Sequence, residues 1–327
     1  MKSFGRLATF LLQHGFLVVL AAVFAFFAIF TNTFLASGNL IDMLHAMSPL
    51  MTISAGLALV VMAGKLDISV GSVAFVAASV GTLLMTRLGC PPLLALAAAL
   101  SAGALLGALN GFIVVVLGVN PLITTLGTMI AFRGVGLQLT NAQVERLPEG
   151  VRELGNWSVG PFFGDTLIAL AIVLAVDLLH RRTVFGRQLT AIGNGEDVAR
   201  RIGMPVDRLV FVAFVLSGVL AAVGGVLDTL QIGAISAYLG KGLEFNAVAV
   251  IVVGGVSLFG GRGRILSSVV LGALVFELIR NGLNHLGANP YAYRLVSGAV
   301  IFAAMYADAL KSRVRRTAVG APALGEA

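Results

Sequence analysis

Long stretches of this chain run without a charge. GFLVVLAAVFAFFAIF at 15–30 and LIALAIVLAV at 167–176 are two of them. A helix lying on a soluble core shows an apolar stripe and a polar face, whereas these stretches are apolar all round. About 20 apolar residues in a helix cross a bilayer core. The pattern predicts ten such helices, at 15–34, 40–63, 68–88, 92–117, 121–140, 165–180, 209–228, 244–259, 265–284 and 291–308. The expected fold class is therefore an all-α membrane protein, a polytopic bundle of about ten transmembrane helices. Its membrane core spans 15–310, between a short N-terminal segment at 1–14 and a tail at 311–327 that lacks an apolar pattern and reads as disordered.

Composition agrees. The chain has 327 residues, 58% of them hydrophobic and only 11% charged, and a mean hydropathy of +0.99. A net charge of +7 would suggest nucleic acid in a soluble protein. Here it reads as a topology signal, because cytoplasmic loops favour Lys and Arg. With the N-terminus inside, the segments expected in the cytoplasm hold fifteen of the 22 basic residues, among them Lys2, Arg6, Lys65, Arg181, Arg182, Arg187, Arg200, Arg201 and Arg208. An even number of spans puts both termini in the cytoplasm. The start resembles a signal peptide, with Lys2 and Arg6 before an apolar run. That run is long and no A-x-A site follows, so it reads as an uncleaved first span.

Metal and redox chemistry find little support. Cys90 is the only cysteine, and His14, His45, His180 and His285 form no ligand spacing. The chain also lacks a G-x-x-x-x-G-K-[ST] phosphate loop; Lys65 and Lys241 follow glycines in other contexts. Neither catalytic residues nor a bound cofactor are expected.

Two polar segments break the apolar pattern. The stretch 141–164 is the longest external loop, with Trp157, Phe162 and Phe163 as candidate interface residues. The cytoplasmic loop 181–208 carries NGEDVARRIGM, which has helix logic. Asn194 can cap, Glu196 and Asp197 suit the positive end, and Arg200 and Arg201 suit the negative end. Gly203 can end the helix, and Pro205 should prevent a prompt restart. With only Val198, Ala199 and Ile202 apolar, the face is too small for membrane insertion. The residues alone leave a solvated loop and a docking helix open.

Gly103, Gly107 and Gly111 repeat every four residues, as do Ser217, Ala221 and Gly225, a spacing that lets helices approach closely. Asn110, Thr124, Thr125, Thr128 and Gln138 are polar positions on apolar helices. Each can line a path or bond backbone within the bundle. Arg133 inside the fifth span can snorkel, pair with an acid or touch a solute. Glu277 and Arg280, three apart, are expected to pair. Asp67 and Ser69 are expected to cap the third span, and Asp42 and Glu277 are the acids placed mid-span.

A resemblance adds to this reading. AIGNGEDVARRIGM at 191–204 resembles the cytoplasmic coupling segment of ribose-type sugar permeases of ABC importers. GKLDISVGSV at 64–73, NPLITTLGTMIAFRG at 120–134, VGGVSLFGGRG at 253–263 and NGLNHLG at 281–287 resemble further motifs of that family, in family order. Lys65 stands where the family usually has glycine, Gly193-Asn194-Gly195 replaces Gly-Gly-Asn, and LEFNA at 243–247 replaces YELDA. The resemblance implies a permease subunit working by alternating access in a bacterial inner membrane. It implies a separate ABC ATPase that holds ATP and Mg, an extracytoplasmic sugar-binding protein and a second permease copy. It implies ATPase coupling through Gly186, Arg187, Ala191, Gly193, Asn194, Glu196, Ala199, Arg200 and Gly203. Asn110, Thr124, Thr125, Thr128 and Arg133 are the candidate path residues. An ABC permease for branched-chain amino acids or nucleosides, an ion-coupled secondary transporter and a passive channel are the rival readings.

Overall fold

The computed structural model describes residues 20–289, 291–300, 302 and 306. The expectations for 1–14 and 311–327, and for the outer ends of the first and last spans, lie outside the described residues. Thirteen helices are described: α1 Leu20–Phe30, α2 Ser37–Met62, α3 Val70–Leu88, α4 Pro92–Val115, α5 Pro121–Thr140, α6 Glu149–Arg152, α7 Gly164–Arg182, α8 Val184–Asn194, α9 Glu196–Arg201, α10 Val206–Ile232, α11 Leu243–Val253, α12 Ile265–His285 and α13 at 291–300. Six of them (α2, α3, α4, α5, α10 and α12) are long and apolar enough to cross a membrane. Four two-residue strands form two small antiparallel pairs, β1 Glu145–Arg146 with β4 Ala234–Ile235, and β2 Ser158–Val159 with β3 Phe162–Phe163.

Local chemistry explains many boundaries. Pro121 opens α5, and the Asn120 side chain accepts from the Leu122 and Ile123 N–H groups, so two unpaired donors of the first turn are satisfied. Pro92 opens α4 in the same first-turn position. At the other ends, Gly89 after α3 and Gly233 after α10 take left-handed backbone angles.

Helix α2 lies at the centre, packed against α7, α10, α11 and α12. The tightest pairing is α4 with α10. A Cβ on Gly103 would overlap the Gly218 carbonyl, and one on Gly107 the Phe214 carbonyl. On the adjoining face of α10, a Cβ on Gly225 would overlap the Ala74 carbonyl of α3. The small residues at four-residue spacing thus bring three backbones together, where dispersion and not water exclusion holds membrane helices.

Several local features differ from expectation. Helix α11, expected as the eighth span, ends at Val253, short of 259, because Gly254 packs against the Ser268 backbone and Gly255 takes a φ of +108°. Pro205 does not delay a restart; it stands immediately before α10, which begins at Val206, the position where a missing N–H costs a helix nothing. The segment 141–164, expected as an external loop, is folded, with β1, α6, a 3-10 turn at Glu153–Asn156 and the β2–β3 hairpin.

Candidate coupling site and transport path

The polar stretch forms two helices joined at Gly195. Helix α8 is capped by Thr183, whose hydroxyl oxygen accepts from Gly186 N–H at 3.3 Å. It is amphipathic: Leu189 and Ile192 are buried, Ala191 is half-buried and Arg187 is exposed. Gly186 is required by contact, since a Cβ there would overlap the His180 backbone. Helix α9 buries Ala199 inward. Its other apolar residues, Val198 and Ile202, one turn apart, are 62% and 67% exposed. Gly203, at φ +80°, ends it as its sequence position suggests.

Asn194 departs from its expected role. It closes α8 rather than capping α9, and its amide donates to the carbonyls of Thr190 at 2.9 Å and Gly261 at 3.1 Å. The expectation took NGED as a helix start, whereas the helical run begins ten residues earlier. Asn194 therefore ties α8 to the glycine turn at 254–263.

That tie is one part of a junction made of backbone. Gly261 N–H donates to the Met62 carbonyl, the end of α2, at 3.0 Å. A Cβ on Gly193 would overlap both of these groups. A Cβ on Gly260 would lie 2.6 Å from Gly64 N and 3.0 Å from Gly193 Cα. Four glycines from three segments (64, 193, 260 and 261) thus allow α2, α8 and the 254–263 turn to meet without side chains between them.

A chain of charges flanks the junction. Lys65 Nζ lies 2.6 Å from Glu196 Oε2, and Glu196 Oε1 accepts from Arg200 at 3.0 Å. Arg200 also pairs with Asp207 at the start of α10. Burial acts to raise the Glu196 carboxyl, but the hydrogen bonds and charges of Lys65 and Arg200 outweigh it and hold the group below its ordinary range. The Asp207 and Glu196 carboxylates raise Arg200 in turn. These residues line a cavity of about 230 Å³ with Asn120 and Val210. Lys65, where a glycine was expected, is what closes the chain between the 63–69 turn and α9.

Just beyond Lys65 the 63–69 turn enters the bundle. The buried Asp67 Oδ1 accepts from Ser69 N–H at 3.0 Å and from its hydroxyl at 2.7 Å, and Oδ2 accepts from Ser217 of α10 at 3.2 Å. Asn110 of α4 donates to Ser69 Oγ at 2.7 Å. Ser69 occupies the cap position of α3, but its side chain makes no cap bond. The expected cap is instead a polar knot joining α3, α4 and α10.

The candidate path residues fall in separate places. Asn110 is in that knot. Thr125 bonds its own helix at Pro121 and the Leu66 carbonyl beside it, and Thr128 bonds Thr125. Thr124 is buried with its hydroxyl unbonded among the described residues. Gln138 is exposed. Arg133 donates to the Leu239 carbonyl at 2.6 Å and lies 4.9 Å over the Phe75 ring. Glu277 and Arg280 pair as expected, at 2.8 and 2.9 Å. Asp42 is exposed.

Two features escaped the sequence reading. At the far end of the bundle, His45 of α2 meets Asp165 of α7 at 2.9 Å, and Gln231 of α10 donates to Asp165 and to the His45 carbonyl. Asp228 belongs to the same end of α10, which runs one turn further than the span expected to finish there.

The family model described as "Branched-chain amino acid transport system / permease component" matches residues 39–305. The chain belongs to this permease family. It is 34% identical over 318 residues to the L-arabinose transport system permease protein AraH of Escherichia coli (strain K12), covering 96% of this chain and 95% of that one. It is 32% identical to the galactose/methyl galactoside import permease protein MglC of the same organism, covering 95% and 97%. It is 30% identical to its ribose import permease protein RbsC, covering 91% and 94%. No solved structure matches. The chain is therefore a permease component with a multi-pass helical architecture, and its matches cover the junction, the knot and both ends of the bundle.

Proposed function

We propose that this chain is the membrane subunit of an ABC importer for a monosaccharide or a related polyol. In this reading ten helices cross a bacterial inner membrane, with both termini and the α8–α9 segment in the cytoplasm. A separate ATPase binds ATP and Mg and docks on α9, an extracytoplasmic binding protein delivers the sugar, and a second permease copy completes the path. The observation that carries the reading is α9 itself. Val198 and Ile202 project from it, while Ala199, Glu196 and the adjoining Gly193 hold it to the bundle. A load applied to this tip reaches α2 through the glycine junction and reaches α3, α4 and α10 through Lys65 and the Asp67 knot. A helix attached in this way suits alternating access driven from outside the chain. The sugar class is supported by the arabinose, galactose and ribose permeases among its relatives.

Gentle affinity purification of the tagged chain from its native membranes, with mass spectrometry, tests the reading. An ABC ATPase is expected to co-purify and to be lost from a Glu196→Arg variant that still reaches the membrane. Repeated recovery of the folded chain alone, with uptake indifferent to ATP depletion, would move the protein to the ion-coupled class.

A further inference from the structure

A cavity of about 270 Å³ lies at the end of the bundle away from α9. Its walls are the later turns of α3 and α10 and the early turns of α4. Its cover is Leu147, Val151 and Leu154, from the folded segment between α5 and α7. Several ties fix that cover to the walls. Strand β1 pairs with β4, just after α10, and Leu147 N–H donates to the Gly233 carbonyl at 3.0 Å. Arg87, near the end of α3, meets Glu145 at 2.6 Å. Gly155 lies so close to α10 that a Cβ would overlap the Leu230 carbonyl.

The lining decides what can enter. It holds no charged group and no aromatic ring, and of its two threonines Thr229 turns its hydroxyl onto the Gly225 carbonyl of its own helix at 2.8 Å. The buried, unbonded side-chain polar atoms among the described residues all lie elsewhere. A buried water needs about two to four polar partners, and a sugar would leave its hydroxyls unpaired. Hydrocarbon fits: an apolar cavity of about 150 Å³ stays dry and takes benzene, and this one is larger. The mouth faces lipid. Leu93 and Leu96 of the lining are 77% and 38% exposed. Leu93 begins a stripe down α4, in which Leu93, Ala97, Ser101, Leu105 and Leu109, four apart, are all exposed. Ser101 turns its hydroxyl onto the Ala97 carbonyl at 2.8 Å, so the stripe shows lipid no open polar group. Helix α4 is long and apolar enough to cross a membrane, and a chain in the bilayer reaches the cavity sideways along it. The cover also carries Arg146, Glu149, Arg152 and Glu153, all exposed and without an ion pair among the described residues. Both charges of a zwitterionic headgroup have an opposite there.

We propose that this cavity binds one acyl chain of a zwitterionic membrane phospholipid, packed between α3, α4 and α10 under the 145–156 cover. The chain fills space that the protein's own side chains leave open and joins the cover to the three helices. The site is separate from the junction beside α9, whose cavity is lined by charged groups. It rests on the membrane class of the chain and not on the importer reading.

The test is photolabelling of the full chain, freed of lipid, in detergent micelles. The probe is phosphatidylethanolamine with a diazirine in one acyl chain, and labelled residues are mapped by mass spectrometry. Leu105, 70% exposed on the middle of α4, reports the general lipid face. Labelling of Val151 and Leu154 is expected to reach its plateau at about tenfold less probe than labelling around Leu105. Equal dose dependence at the two places, or no label on the cover, overturns the site. Two variants fill the cavity from different walls, Val226→Phe from α10 and Met85→Trp from α3. Each is expected to cut labelling of the cover about tenfold and to leave that around Leu105 unchanged. Undiminished labelling of the cover in both variants, with melting as in the parent, places the lipid on the surface and overturns the cavity; if neither variant folds, the dose comparison in the parent decides. Displacement of the label by L-arabinose, D-galactose or D-ribose would hand the cavity to the solute path. A phosphatidylglycerol probe is expected to need more lipid for the same plateau; tighter labelling by it overturns the zwitterionic assignment.

Discussion

The two ends of this bundle arrange their charges differently: one as a chain, the other as separate pairs. At the junction beside α9, Lys65, Glu196, Arg200 and Asp207 are consecutively paired, and glycine backbones press together beside them. At the other end the pairs stand separately: His45 with Asp165 and Gln231, Asn39 with Asn281, and Glu277 with Arg280. Pairing every charge makes a region that transmits displacement, because moving one member costs its contacts with the next. Separate pairs hold their own helices without linking one pair to the next. The Asp67 knot lies between them and belongs with the first kind: each of its bonds is to another element of the bundle.

The contrast can be broken most severely at Gly193. A Gly193→Val side chain would meet the Met62 and Gly261 backbones, which cannot rotate away. Overpacking typically costs about 1–3 kcal/mol, and rigid neighbours favour the upper end. Uptake is expected to fall more than about tenfold and the melting temperature to drop; normal uptake and melting would show that the junction yields.

The tip of α9 separates docking from folding. Val198→Ser with Ile202→Ser removes exposed apolar surface, so melting should change by no more than about 0.5 kcal/mol per site. Affinity for the ATPase should fall about tenfold, equivalent to about 1.4 kcal/mol. Full ATPase binding by this variant would place the contact elsewhere, with the exposed Phe259 of the glycine turn as the next candidate.

Lys65→Met is a smaller change. It leaves Glu196 with Arg200 and removes the bridge to the 63–69 turn. The pair is only partly buried, so about 1 kcal/mol or less of stability is expected to go. The sharper readout is coupling: ATP hydrolysed per sugar taken up should rise while ATPase binding persists.

The smallest effect is on the acid side. Glu196 is held below its ordinary value of 4.5, so its pairing contributes stability that is fully present above that pH. The contribution is lost as pH falls through the lower folded value. The acid limb of a melting-temperature profile should therefore begin below pH 4.5, and Glu196→Gln should flatten it. Solvent screening at a one-third exposed carboxyl keeps the shift small. Loss of this increment on raising the pH instead would reverse the assigned sign.

The helical positions were legible because an apolar run longer than a bilayer is thick has few other uses, and because Pro, Asn and Gly mark helix ends by local backbone chemistry. The α9 helix, its end at Gly203, the Glu277–Arg280 pair and the small-residue faces of α4 and α10 were legible for the same reason: each depends on residues within one or two turns. Asn194 was misplaced because its partner, the Gly261 carbonyl, is 67 residues away. The role of Lys65 needed Glu196, 131 residues on. The scatter of the candidate path residues had the same origin, since a threonine on an apolar helix reads alike whether it bonds its own backbone, as Thr125 does, or faces a solute. The His45–Asp165–Gln231 group was overlooked because its members are 66 to 186 residues apart. Sequence by itself determined the membrane class, most of the long helices and the short polar helix α9, all of which follow from short-range periodicity and capping. The tertiary structure alone decided which charges are paired and which stay open, because that depends on which helices meet.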